Sequence, residues 1–100
     1  MKLVAIEHST NPDKKWMAVF RNPTTGRLKT IHFGAKGMDD YTLTRDKEQR
    51  ERYRTRHAKD LTTEAGKTGV SAGALSYWVL WGDSVGMGKN IMDYKKRFGL

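Results

Sequence analysis

Arg45, Arg52, Arg56 and Lys59 fall on one stripe when the segment Thr44–Asp60, TRDKEQRERYRTRHAKD, is wound as an α-helix at about 100° per residue. Gln49 lies between them. A guanidinium grips an oxyanion through two parallel N–H bonds, so the chemistry of this stripe is anion binding. Four such contacts on duplex DNA would make log affinity fall with log salt at a slope of roughly −3.6. Tyr53, His57 and Asp60 occupy a second face, about a quarter-turn away, and are expected to turn toward the core. Glu48 is placed to pair with Arg52 and Glu51 with Arg54, leaving the stripe basic but partly neutralised. A second cluster, Lys95, Lys96 and Arg97, extends the set of candidate anion-binding residues.

Other chemistry is less well served. His8, His32, Asp39, Asp40, His57 and Asp60 could support metal-assisted phosphodiester hydrolysis, but no local spacing among them resembles a metal motif. Ser71, Ser76 and Ser84 stand in no nucleophile motif. FGAKG lacks the spacing and the following Lys-Ser/Thr of a phosphate loop and reads as a turn. No helix-turn-helix, zinc-finger or ribonucleoprotein signature offers base readout. Trp16, Tyr53 and Trp78 could stack on bases, although aromatic residues in a small domain serve the core first. The expectation is therefore a non-enzymatic protein without cofactor or metal.

The elements that must position these residues belong to one small domain. The chain has 100 residues, 37% hydrophobic and 30% charged, with three tryptophans. That composition folds rather than remaining disordered. A net charge of +8 favours nucleic acid, an anionic membrane or an acidic protein surface as partner without choosing among them. Without cysteine there is no disulfide and no thiolate metal site. The N-terminus KLVAIEHS turns polar too soon for a signal peptide, and no apolar run approaches the roughly 20 residues of a membrane span. A soluble, intracellular or particle-borne protein is expected.

Three β-type runs come first, Lys2–His8, Lys15–Arg21 and Arg27–Phe33. Asn11-Pro12-Asp13 and Asn22-Pro23-Thr24-Thr25-Gly26 join them into an antiparallel meander, Gly26 supplying the left-handed conformation. Gly34–Thr42 reads as an ordered loop. Asp46 or Thr44 caps the arginine helix, with Gln49 in the capping-box position after Asp46, and the helix runs to about Ala58. Thr62–Val70 reads as a surface loop. Ser71 caps a central helix over Ala72–Trp81, apolar all round. After a glycine-rich break at Gly82–Gly88, Asn90–Phe98 forms an amphipathic helix on a stripe of Met87, Ile91, Tyr94 and Phe98.

His32-Phe33-Gly34, Gly37, Asp40-Tyr41-Thr42, Asp46, Arg50, Arg52-Tyr53 and Arg56-His57 form an ordered set along the chain. Ser71-Ala72-Gly73, Leu75-Ser76, Leu80-Trp81 and Asp93-Tyr94-Lys95-Lys96-Arg97-Phe98 continue it. Over roughly residues 30–100 this resembles a family of small, basic, functionally uncharacterised proteins encoded by large nucleocytoplasmic double-stranded DNA viruses. Lys59–Val70 and Gly82–Gly88 depart from that pattern. The resemblance implies a setting, the virion or the infected cell, and no activity.

Together these features predict a single α+β domain, a three-stranded meander (residues 1–34) packed by two or three helices (residues 44–98). The expected function is binding of an anionic partner, nucleic acid first. A minor virion protein joining capsid neighbours is the alternative, and a metal-dependent nuclease the remote one.

Overall fold

The structure, a computed structural model, describes residues 1–100. Strands β1 (Lys2–His8), β2 (Lys14–Arg21) and β3 (Leu28–Ala35) form one antiparallel sheet in the order β1-β2-β3. Its register puts the large apolar residues on one side, because cross-strand partners share a face. Leu3 faces Phe20, Ala18 faces Ile31, and Trp16 faces Phe33. Leu3, Ala18, Phe20 and Phe33 are buried. The two turns form as their residues require. Asn11 Oδ1 accepts from the Asp13 N–H, and Asn22 Oδ1 accepts from Thr24 and Thr25 ahead of Gly26 at φ +74°.

The third strand starts one residue later than expected and continues through Ala35. Gly34 makes that continuation possible. It sits at φ +78°, and a Cβ there would lie 2.9 Å from Leu80 Cδ1. The strand therefore passes against the helical layer where a side chain would collide.

The helical half opens with α1 (Tyr41–Thr44), inside the segment read as a loop. Buried Asp40 caps it, accepting from the Thr42 N–H at 2.9 Å. Helix α2 (Lys47–His57) is capped by Asp46, whose carboxylate accepts from the N–H groups of Glu48 and Gln49. Gln49 does not complete the capping box; its side-chain oxygen takes the Thr44 hydroxyl at 2.8 Å. A 3-10 turn, Ala58–Leu61, extends α2. The expected surface loop that follows instead contains α3 (Glu64–Thr68). Thr63 caps its start by accepting from Gly66 N–H, and Gly69 closes it at φ +82°.

Ser71 caps α4 (Ala72–Leu75) by accepting from Ala74 N–H. This helix runs directly into one π turn, Ser76–Leu80, which ends as Trp81 N–H donates to Ser76 O. Ala74, Leu75, Val79, Leu80 and Trp81 are all buried, so the central role expected for this segment holds. Helix α5 (Met87–Phe98) begins three residues before the expected start. Its stripe packs inward, with Tyr94 buried and Met87, Ile91 and Phe98 against the core. Asn90 reaches back from it: Nδ2 donates to Val79 O (3.0 Å) and Ser84 O (2.7 Å), while Oδ1 accepts from Ser84 N–H (2.9 Å). The result is an α+β fold around one core. No helix is long and apolar enough to cross a membrane.

Candidate functional site

The arginines of α2 divide into two kinds. Arg54 reaches the end of the central segment, donating from Nε to Trp81 O (2.8 Å) and from Nη2 to Asp83 (3.0 Å). Its guanidinium also lies over Tyr77, 5.6 Å from the ring centre. Arg50 donates to Asp83 O (3.2 Å) and Glu51 (3.1 Å) and stacks over Tyr41 at 4.7 Å. These two arginines pin α2 to the segment after Trp81. The hydrogen bond from Arg54 is the main reason the Asp83 carboxyl is held below its usual range.

The pairs expected along the helix do not form. Glu51 meets Arg50 rather than Arg54, and Arg52 has no ion-pair partner. The Trp81 carbonyl, fixed by the fold, and the shorter Asp83 side chain outcompete the longer surface Glu51 for Arg54, because they demand less side-chain ordering.

Arg52 and Arg56 are exposed and enter no ion pair. Both line a groove of about 920 Å³ between α2, the end of β3 and the start of α4. Arg45 and Lys59 are exposed too, but they do not line it. Arg45 stands in the left-handed conformation (φ 57°) as the C-cap of α1, off the axis of α2, and Lys59 lies in the 3-10 turn. The four-residue stripe thus contracts to two residues at the groove. Lys14 and Lys15 supply its other cations from the first residues of β2. In the sequence Lys15 reads only as the first residue of a strand, and Lys14 falls just outside it.

Below the cations lies a column of rings. Tyr53 stacks on Trp81 at 4.3 Å and 9°, and His57 stacks on Tyr53 at 4.3 Å and 27°. Of the face expected to touch the core, Tyr53 packs against it, whereas His57 reaches it only through Tyr53 and stays partly exposed. Burial, then the nearby Asp60 charge, raises the Tyr53 pKa, with a Ser76 hydrogen bond and Arg56 opposing. His57 Nδ1 is 3.0 Å from the Asp60 carboxylate. Gly73 leaves Asp60 its place, since a Cβ there would come within 3.0 Å of Asp60 Cβ.

Three carboxylates share the groove, but two are already engaged. Asp40 holds Lys15 Nζ at 2.8 Å and accepts from the Thr42 hydroxyl and N–H. Asp60 faces His57, and Asp39 is exposed with no side-chain partner. What remains unpaired is Lys14, Arg52 and Arg56 against Asp39.

The rest of the acid–histidine set lies elsewhere. His8 stacks on Trp16 at 4.4 Å, and His32 Nδ1 is 2.7 Å from the Ser9 hydroxyl. No three His, Cys, Asp or Glu side chains converge closely enough to hold a metal ion. Lys95, Lys96 and Arg97 are exposed at the end of α5, outside the groove. Arg97 is set over Trp78, 3.8 Å from the ring centre, and lines a second recess with Lys29 and Lys67.

No curated protein and no solved structure matches the chain. A family model matches residues 4–57, a stretch that holds the sheet from the third residue of β1 onward, α1 and α2, and with them both groove arginines and His57. On that match, which covers more than half of its length, the chain belongs to the family of unknown function DUF5754.

Proposed function

We propose that this protein is a non-enzymatic nucleic-acid-binding module that holds phosphates on Arg52 and Arg56 at the mouth of the groove. One observation carries the reading. Arg50 and Arg54 are consumed in holding α2 to the fold, whereas Arg52 and Arg56 line an open groove and form no ion pair with the carboxylates that share it. An arginine left unpaired beside a groove is ready to form bidentate contacts with phosphate. The net charge of +8 adds long-range attraction, and Lys95, Lys96 and Arg97 offer further contacts on another face. A virus-encoded protein, in the virion or the infected cell, is the setting implied by the resemblance over residues 30–100, where genome packaging or replication would use such a module.

Fluorescence anisotropy with labelled oligonucleotides at low salt tests the reading. The intact protein should bind at submicromolar concentration, and the double charge reversal Arg52→Glu/Arg56→Glu should abolish binding while leaving the melting temperature nearly unchanged. Absence of binding by the intact protein at low salt defeats the proposal. Near-stoichiometric recovery in purified particles together with that absence would instead favour a structural role among capsid neighbours.

A further inference from the structure

We infer that the groove accommodates an unpaired nucleotide, its base against the His57 end of the ring column and its phosphate at Arg52 and Arg56, so that single strands bind in preference to duplex. The inference rests on the nucleic-acid reading above and adds which form is recognised. Arg52 and Arg56 are one i, i+4 pair on α2; Tyr53 and His57 are another, offset by a single residue. Within each row Cβ atoms lie about 5–6 Å apart, and Arg56, three residues after Tyr53, joins the two rows at the same spacing. Cations and rings are thereby set next to each other in the alternation that a phosphate and its base require.

The groove is also wrong for a bare phosphate chain. Asp39, Asp40 and Asp60 line it, and such a lining repels a run of phosphates. A nucleotide tolerates it, because base amino groups and ribose hydroxyls donate hydrogen bonds to carboxylates. Asp39 is the unpaired acceptor available for that purpose. His57 is open to the groove, with 36% of its side chain exposed, while Tyr53 and Trp81 back it from beneath. Ala72 and Gly73, which carry little side chain, also line the groove. Cationic grooves with aromatic platforms are the usual means of holding single strands, whereas duplex bases are already stacked and unavailable.

Anisotropy competition on the unaltered protein provides the test, using a short single strand, the same strand with abasic residues, its duplex, and a nucleoside monophosphate. The single strand should bind at least about fivefold more tightly than the abasic strand, the lower end of what base stacking contributes. The duplex should bind no more tightly than the abasic strand. His57→Ala should bring the ratio of affinities for intact and abasic strands close to one. Equal binding of intact and abasic strands, or tighter binding of duplex, overturns the inference but leaves phosphate binding standing. Saturation by the monophosphate with no gain from a strand overturns the single-strand assignment and makes the free nucleotide the ligand. Failure of every strand to bind removes both this inference and the reading beneath it.

Discussion

Arg54 and Arg56 stand two residues apart on the same helix and do different work. Arg54 spends its donors on Trp81 O and Asp83, with its side chain only 17% exposed. Removing a charge-assisted hydrogen bond to a half-buried carbonyl costs roughly 1.5–3 kcal/mol. Arg54→Gln should therefore lower stability by about that amount in urea denaturation. Arg56→Gln, which breaks no ion pair, should stay within about 0.5 kcal/mol. Equal losses would mean that Arg56 is also a structural tie. The helical spacing alone placed Arg52 and Arg56 on one face. It could not separate them from Arg54 as free from bound, because the partners of Arg54 lie 27 and 29 residues further along the chain. Lys14 and Lys15 were invisible for the same reason, since their role arises only when β2 meets the end of β3.

The elements most legible in the sequence were those with local signals. The meander followed from alternating strands and asparagine-led turns, and the caps Asp46 and Ser71 from side chains adjacent to their helices. Helix α3 was missed although Thr63 and Gly69 mark its ends, because a polar, glycine-containing run lacks the apolar period that identifies a helix. Helix α5 starts earlier than expected because Asn90, taken for its beginning, instead serves as a buried tie to the segment before it. Asn90→Asp keeps the acceptor for Ser84 but turns a carboxylate oxygen toward two carbonyl oxygens. The loss should be at least about 1–3 kcal/mol, the cost of leaving one buried polar group unsatisfied. An unchanged denaturation midpoint would show that Asn90 does not hold the two segments together.

For the molecule as a whole, pH and salt report on different parts. Burial raises the Tyr94 pKa above that of a free tyrosine, while its hydroxyl donates to Gly69 O, and Tyr53 shifts the same way. Above about pH 10 the unfolded chain loses these phenolic protons and the folded chain keeps them. Stability is therefore full below that pH and declines as pH rises toward the folded values. Tyrosinate absorbance from buried Tyr94 should appear only as structure is lost. Complete tyrosine ionisation with the fold intact would contradict the packing of the Tyr94 ring. At the acid end Asp83 acts in the opposite sense. Its lowered pKa contributes stability above about pH 4 that is lost as pH falls further, and the effect is small because Asp83 is exposed to solvent. Salt, by contrast, reads the groove. The most direct measurement is the slope of log affinity for a single strand against log salt, compared between the intact protein and Arg52→Gln/Arg56→Gln. Each phosphate contact on a single strand contributes about 0.7 to that slope. The double variant should bind more weakly, with a slope shallower by roughly 1.4 and an unchanged urea midpoint. An unaltered slope, or loss of binding only in step with loss of the fold, would contradict the assignment of Arg52 and Arg56 as the phosphate contacts.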